Sequence, residues 1–305
     1  MEKMLKYDKI NGSVGFRESD HYYGNLNDPT IKYISVTTLI EKYGKEFDKE
    51  FVSAYKALER IMTPENWKKE KGGIWKNHKI PKDFLEVYDI SQEDLNKVQQ
   101  DILDEWAETN RIACERGTKI HAQLENSFYN AGSNITLKKF GIGGKFECRK
   151  DYSDLDLDYG IYPEYLIYYD NPKIDLHLAG QIDLIVKNLN EITIIDHKTN
   201  AKIDLKGFYN SANRSTDKMK YPLGHLDECN FNHYQLQLST YAWMLQKLNS
   251  DFIIKDLILN HYDHSGKNTL YHCSYLKDDV EKMLKHYAKQ NKLEKQKAKY
   301  ARIEY

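Results

Sequence analysis

The chain has few cysteines, and none of them are paired at the spacing of a zinc site. Its 305 residues include only Cys114, Cys148, Cys229 and Cys273, and no C-x-x-C pair occurs. Cysteines scattered in this way are typical of reduced thiols and argue against a structural zinc centre.

The sequence also lacks long apolar runs and a charge excess of one sign. No run of about 18 apolar residues occurs and five of the first ten residues are charged, so the pattern indicates neither a membrane span nor a signal peptide. We therefore expect a cytoplasmic protein with no membrane partner. Because the net charge is only −1, any binding of nucleic acid has to come from local basic patches.

What is present is an ordinary globular composition with an excess of tyrosine. Hydrophobic residues make up 40% of the chain and charged residues 30%, and there are 24 tyrosines. A chain of this length and composition can bury a sizeable core.

Two apolar, β-branched runs at 179–186 and 192–198 enclose a polar, turn-like stretch at 188–191. This pattern predicts a β-hairpin. If the turn is centred between residues 189 and 190, Asp183 lies opposite Asp196, with Cβ atoms about 4.5–5.5 Å apart. Lys198 then lies on the same face, two residues beyond Asp196.

Two carboxylates that close together are costly to bury without a cation between them. Oxygen ligands without a thiolate favour Mg²⁺ or Mn²⁺ over Zn²⁺, and Lys198 is placed to orient or deprotonate a water on that ion. The alternative is an exposed hairpin end, where Asp196 and Lys198 form a surface ion pair.

Three further positions are candidates for the same site. Glu164 lies on a predicted strand at 162–169, and a turn near 172–173 brings it toward Asp183. His121 lies on a predicted amphipathic helix, and Gln237 and Tyr241 lie one turn apart on another at 231–248. The alternatives are an exposed glutamate at a strand end and a structural imidazole.

Other segments are assigned more coarsely. Ser91 is predicted to cap a long helical region, whereas 63–80 is expected to be a surface insertion and 131–158 a loop. Residues 282–302 are predicted to be helical and contain eight Lys or Arg against one acid, Glu294. That helix is either a solvated face or a patch that follows a nucleic-acid backbone.

Four short motifs occur in a fixed order along the chain: Gly117-x-x-x-His121, Gly180-x-x-Asp183, Asp196-x-Lys198 and Gln237-x-x-x-Tyr241. In this order the chain resembles the PD-(D/E)-x-K nucleases of the RecB-type exonuclease branch, and its phage-encoded, stand-alone members in particular. The proline of the superfamily name is replaced by Ile182. The grouped cysteines of the iron–sulfur members are absent.

The resemblance implies an α/β fold with a restriction-endonuclease-like core, in which helices flank a central mixed β-sheet and helical additions lie at the N-terminus. Residues 1–305 would form a single nuclease domain, with strands and helices at 1–110, the catalytic core at 111–260 and a basic helix at 279–305.

The resemblance also implies roles for individual residues. His121, Asp183, Asp196 and the main-chain carbonyl of His197 would hold Mg²⁺ or Mn²⁺, and Lys198 would position the attacking water. Further roles would fall to Glu164, at a second metal or a metal-bound water, and to Gln237 and Tyr241, at the lysine or the substrate strand.

The function implied is a metal-dependent deoxyribonuclease, an exonuclease of phage-type recombination, replication or repair. Its partners would be DNA ends or single strands, together with a single-strand annealing or binding protein. A structure-specific or restriction-like endonuclease is the alternative within the enzyme class, and a catalytically silent DNA-binding module is the alternative outside it.

Overall fold

The computed structural model describes residues 7–149, 157–210 and 214–301. The chain divides into two compact units, of which the larger comprises Met1–Lys45 and Lys119–Tyr305 and the smaller comprises Glu46–Thr118. In the described part of the chain, no helix is long and apolar enough to cross a membrane.

The strands of the described residues, in chain order, are β1 (Lys9–Asn11), β2 (Val14–Arg17), β3 (Tyr22–Asn25), β4 (Ile34–Ser35), β5 (Ile135–Leu137), β6 (Ile142–Phe146), β7 (Gly160–Asn171), β8 (Leu176–Asn188), β9 (Glu191–Lys198), β10 (Tyr209–Asn210), β11 (Ser215–Thr216), β12 (Ile253–Tyr262) and β13 (Asn268–His272). The α-helices are α1 (Val36–Glu41), α2 (Lys49–Ile61), α3 (Pro64–Asn77), α4 (Phe84–Val87), α5 (Gln92–Ala131), α6 (Asn230–Leu248) and α7 (Lys277–Ala301).

The larger unit is built on a six-stranded mixed sheet. Its order is β13-β12-β9-β8-β4, and a sixth strand, β7, also pairs with β8. The pairing of β7 extends along almost the whole length of β8, whereas β9 and β4 pair with different parts of that strand. The pairs among β7, β8 and β9 are antiparallel, whereas β9–β12 and β4–β8 are parallel. One face carries α6 with α1 and α7 packed against it, and Phe128 of α5 packs on the opposite side. The predicted α/β fold with a central mixed sheet flanked by helices is confirmed.

The predicted register of the central hairpin is confirmed. The β8–β9 ladder ends at Leu184 opposite Ile195, which places Asp183 opposite Asp196 one step further on. On the other side of β8, the ladder with β7 passes from Pro163–Leu184 to Tyr165–Ile182, so Glu164 lies level with Asp183. Three adjacent strands therefore bring three carboxylates to the same level of the sheet.

The backbone of β7 changes at Glu164. This residue has a φ of 49°, which is uncommon for a residue with a side chain. Tyr162 and Tyr165 belong to the same core although they are three residues apart, a spacing that strict alternation would place on opposite faces. The left-handed backbone of Glu164 therefore accompanies a reversal of the inward and outward positions along β7.

The helix α6 is more buried than its amphipathic sequence pattern predicts. Every residue from Gln235 to Leu245 is buried, including Gln237 and Tyr241. The sheet lies on one side of it and α1 and α7 pack on others, so little of its middle reaches solvent. Polar side chains in this stretch are therefore placed inside the larger unit.

The smaller unit is helical, with a core that includes Leu58, Trp67 and Ile102. Most of the stretch at 63–80, which was expected to be a surface insertion, forms α3, and its Trp67 and Ile74 are buried in this core. Thr63 accepts a hydrogen bond from Asn66 N, and Pro64 occupies the first turn, where its missing N–H costs nothing. Ser91 caps α5 as predicted, accepting from Asp94 N.

Two other segments differ from their sequence predictions. Within the stretch expected to be a loop, β5 and β6 form a two-stranded antiparallel sheet whose apolar side chains Ile135, Leu137 and Phe146 are buried. The predicted basic helix at 279–305 begins earlier, at Lys277, and is described as far as Ala301. Its last four positions lie outside the described residues.

Candidate metal centre

Three side chains from different elements converge at the end of the central hairpin. His121 comes from α5, Glu164 from the reversal in β7 and Asp183 from β8. His121 Nδ1 lies 3.6 Å from both Glu164 Oε1 and Asp183 Oδ2. One ligand atom of each residue lies within 4.8 Å of those of the other two, so the three could hold a metal ion together.

The imidazole of His121 is oriented by the chain itself. Its Nε2 lies 3.1 Å from the carbonyl oxygen of His197, so a proton on Nε2 is donated there. The other nitrogen, Nδ1, then faces the two carboxylates. In metal sites, a hydrogen bond from the ring nitrogen that does not bind the ion fixes the tautomer of a histidine ligand in this way.

The charge of His121 depends on its acidic neighbours. Burial alone lowers the pKa of His121, but the carboxylates of Asp183 and Glu164 outweigh that effect and raise it to about 9. Without a metal, the imidazole is therefore a cation at neutral pH that partly neutralises the two acids.

Both carboxylates of this group are held by hydrogen bonds. Glu164 Oε2 accepts from Gln181 Nε2 at 2.6 Å, and Asp183 Oδ2 accepts from His197 N at 2.6 Å. Burial raises the pKa of Asp183, and the charge of His121 opposes the increase. The site thus keeps a costly buried carboxylate in a fixed position.

Asp196 and Lys198 form a buried ion pair next to this group. Asp196 Oδ2 lies 2.7 Å from Lys198 Nζ, and only 3% and 18% of their side-chain surfaces are exposed. Burial raises the pKa of Asp196 to about 6, against the opposing charge of Lys198. Burial lowers the pKa of Lys198, but Asp196 and Asp183 reverse this and raise it, so the side chain is an ammonium.

The helix α6 completes the surroundings of the ion pair. Gln237 Oε1 accepts from Lys198 Nζ at 3.3 Å, and Gln237 Nε2 lies 3.4 Å from Asp196 Oδ1 and 3.5 Å from the Tyr241 hydroxyl. One amide therefore contacts both members of the pair. Tyr241 follows one turn later and packs over Gly180 of β8.

His197 contacts the residues of the candidate metal centre through its main chain. Its N–H and its carbonyl contact Asp183 and His121, while ring Nδ1 lies 2.8 Å from the side-chain amide of Asn260 on β12. Burial lowers the pKa of the His197 ring to about 3, so the ring is neutral.

Sequence reasoning missed two residues that border this site. Lys198 Nζ lies 4.7 Å from the centre of the Tyr234 ring, a cation–π contact from the α6 turn preceding Gln237. Its spacing on that helix was the available signal. Lys9 of β1 lies 3.3 Å from Glu125 Oε1 and 3.5 Å from the carbonyl oxygen of Glu164, a contact that no sequence spacing indicates.

Comparisons with known proteins find only distant structural similarity. SSO0001 is a solved structure that is 12% identical, with a TM-score of 0.33 over 85% of this chain and 75% of that one. A structure named "Putative exonuclease", from Eubacterium rectale, is 11% identical, with a TM-score of 0.31 over 86% and 79%. No protein-family model and no curated protein matches the chain.

The donor set itself limits the chemistry. Two carboxylates and one imidazole, with no thiolate among them, are donors that suit a hard or borderline divalent cation. The adjacent ammonium of Lys198 adds a hydrogen-bond donor that an anionic substrate would meet.

Proposed function

We propose that the chain is a metal-dependent nuclease that hydrolyses phosphodiester bonds in DNA, with Mg²⁺ or Mn²⁺ held by His121, Glu164 and Asp183. The observation that carries this proposal is the position of the Asp196–Lys198 pair beside that group. Clusters of acidic side chains that could bind a metal are common. Here a buried ammonium next to the cluster adds a hydrogen-bond donor, which such a cluster lacks.

The ion would act as a Lewis acid on the phosphodiester and increase the acidity of water at the site. The residues of the chain determine where that chemistry occurs. Glu164 and Asp183 supply the negative charge, and Gln181 and the His197 amide hold their oxygens in place. This pre-organisation avoids having to reorient the ligands during the reaction.

In this proposal, Lys198 acts as a hydrogen-bond donor. Its raised pKa keeps it protonated, so it orients the attacking water or a phosphate oxygen and does not remove a proton. Asp196 and Gln237 restrain the ammonium from two sides, and Tyr234 packs beneath it. Asp196 and the His197 carbonyl also border the centre, and we propose them as further metal ligands, as the motif resemblance implies.

We further propose that the enzyme is an exonuclease that acts at DNA ends in phage-type recombination, replication or repair. This proposal is supported by the four ordered motifs, whose Asp183, Asp196, Lys198 and Gln237 now lie around one site. Tyr241 contributes by packing against Gly180 of the second motif.

The test is cleavage of linear and of covalently closed circular DNA of the same sequence, with Mg²⁺, with Mn²⁺ and with EDTA. We expect the linear DNA to be degraded from its ends only with a divalent ion, while the circle persists. Cleavage of the circle would replace the exonuclease by an endonuclease. If neither DNA is cleaved under any of these conditions, the proposed activity is wrong.

A further inference from the structure

Three large apolar side chains are exposed in the segment that follows Lys198. Leu205, Phe208 and Tyr209 are 56%, 65% and 58% exposed, although they lie within five residues of one another. We call residues 205–210 and 214–218 the aromatic hairpin, because β10 and β11 pair within it, with Tyr209 opposite Thr216. An apolar group of this kind on a surface commonly marks a binding site.

The backbone under these side chains is held in place. Phe208 O accepts from Asp217 N at 2.9 Å, and Asp227 accepts from Gly207 N at 3.3 Å and from the Thr216 hydroxyl at 2.8 Å. A Cβ on Gly207 would come within 2.3 Å of the Asp217 carbonyl oxygen, so the chain passes closely there. The aromatic rings are thus presented outward from a fixed support.

The stretch that leads from Lys198 into the aromatic hairpin is attached to two elements that border the candidate metal centre. Asn200 follows Lys198 closely, and its carbonyl oxygen lies 2.7 Å from His261 Nε2 of β12. Asp204, just before the hairpin, donates from its main-chain N–H to the side chain of Asn230, the first residue of α6. Tyr234 is one helical turn further along α6, a rise of about 6 Å.

The charge of this segment differs from that of the whole chain. Residues 199–227 contain five Lys or Arg and three Asp, whereas the chain as a whole has a net charge of −1. Lys206 and Arg214 of the aromatic hairpin are both exposed. Aromatic rings flanked by basic side chains suit a chain of bases joined by phosphates.

We propose that the aromatic hairpin binds a single strand of nucleic acid by stacking bases on Phe208 and Tyr209, and so guides that strand to the centre at Lys198. The inference rests on the proposed nuclease function and specifies its substrate as a single-stranded segment. Every base has a flat face, so this contact gives affinity without sequence preference.

The experiment measures binding without divalent ions, so that it is independent of cleavage. Fluorescence anisotropy would compare a single-stranded DNA, an RNA of the same sequence, a blunt duplex and a single strand with abasic sites. The proteins are the wild type, the Phe208→Ala/Tyr209→Ala double variant and the control Phe47→Ala. Phe47 is 66% exposed, which matches Phe208, but it lies in the smaller unit.

We expect the double variant to bind the normal single strand at least about 10-fold more weakly, which corresponds to about 1.4 kcal/mol. On the abasic strand the two proteins should bind alike, and Phe47→Ala should behave as the wild type. The DNA and RNA arms identify which single strand is preferred.

Unchanged single-strand affinity in the double variant would overturn the inference. It would be overturned equally by the same loss on the abasic strand, by binding to the duplex alone or by no binding at all. Cleavage with Mn²⁺ is scored separately. Base-dependent binding without cleavage would therefore remove the nuclease proposal and leave the stacking contact standing.

Discussion

The ring of Tyr241 occupies the space that a Cβ atom at position 180 would need. A Cβ built on Gly180 would lie 2.6 Å from Tyr241 Cε1, a distance that real Cβ contacts do not reach. The glycine of the second motif and the tyrosine of the fourth are therefore one packing contact between β8 and α6. That contact sets the helix that carries Gln237 against the strand that carries Asp183.

We predict that Gly180→Ala destabilises the protein by about 1–3 kcal/mol, because the added methyl group overpacks a buried contact. Chemical denaturation would measure the change. Gly143→Ala is the matched control, since a Cβ there meets nothing within 4 Å, and it should have almost no effect. A smaller side chain at position 241 should relieve the clash, so Tyr241→Leu combined with Gly180→Ala should cost less than the sum of the two single changes.

Lys198→Ala should reduce single-turnover cleavage by roughly two to four orders of magnitude while Mn²⁺ still binds, because the amine is a donor and not a ligand. Lys198→Arg should not restore the rate, since the planar guanidinium is longer and places its protons differently. Lys202→Ala is the control, because Lys202 forms an exposed pair with Asp204. Near-normal turnover in Lys198→Ala would contradict the assigned role.

The same Lys198→Ala variant gives a separate stability prediction. Removing the ammonium leaves Asp196 buried without its partner, which costs about 3–5 kcal/mol when the carboxylate is charged. Since the pKa of Asp196 is already raised to about 6, protonation should recover most of this loss. Unfolding at pH 8 and at pH 5 should show a large penalty at pH 8 and a small one at pH 5. An equal penalty at both values would indicate that the charge of Asp196 is not its cause.

Asp183→Asn should remove Mn²⁺ binding and cleavage while the fold is kept, because the amide oxygen can still accept from the His197 N–H. Calorimetric titration and thermal unfolding would test this. Mn²⁺ at about 100 times its Kd should stabilise the wild type by about 2.7 kcal/mol and the variant not at all. Asp251→Asn, at an exposed turn, is the charge-matched control. Retained cleavage in Asp183→Asn would exclude Asp183 as a required ligand.

Metal binding should release a proton from His121. In the metal-free protein the pKa of His121 is raised to about 9, above its value in an unfolded chain, so its protonated form stabilises the fold fully below about pH 6.5. That contribution is lost as the pH rises through 9. A metal at Nδ1 replaces the proton, so affinity for Mn²⁺ should increase from pH 6 to pH 8.

The direct measurement of this release is calorimetry of Mn²⁺ binding at pH 7.5 in buffers with different ionisation enthalpies. The observed enthalpy should follow the buffer enthalpy in the wild type, and much less in His121→Asn. If the wild-type enthalpy is independent of the buffer, His121 does not exchange a proton for the ion.

The sequence by itself determined the central hairpin and its pairing. Alternation of apolar residues and one polar turn placed Asp183 opposite Asp196, and the ladder ending at Leu184 and Ile195 has that register. The side-chain period of a strand is two, so once the turn was located the shared face followed. Glu164 was also expected near Asp183, and the β7–β8 register places it level with that residue.

Only the tertiary structure decided which carboxylates form one group. Sequence reasoning centred the site on Asp183 and Asp196, but the three side chains whose ligand atoms converge are His121, Glu164 and Asp183. Asp196 is held 2.7 Å from Lys198 instead. This distinction depends on the left-handed backbone at Glu164 and on the contact of His121 with the carbonyl of His197, and neither is encoded in a local spacing.

The sequence also could not predict whether Asp196 and Lys198 are buried. A strand-end Asp and Lys two residues apart fit an exposed pair as well as a buried one, and the two differ several-fold in energy. Here α6 covers the end of the hairpin, with Gln237 and Tyr234 against Lys198. Gln237 and Tyr234, which are 39 and 36 positions from Lys198 along the chain, thus exclude water from this ion pair. Packing between such distant residues determines how strongly the two charges interact.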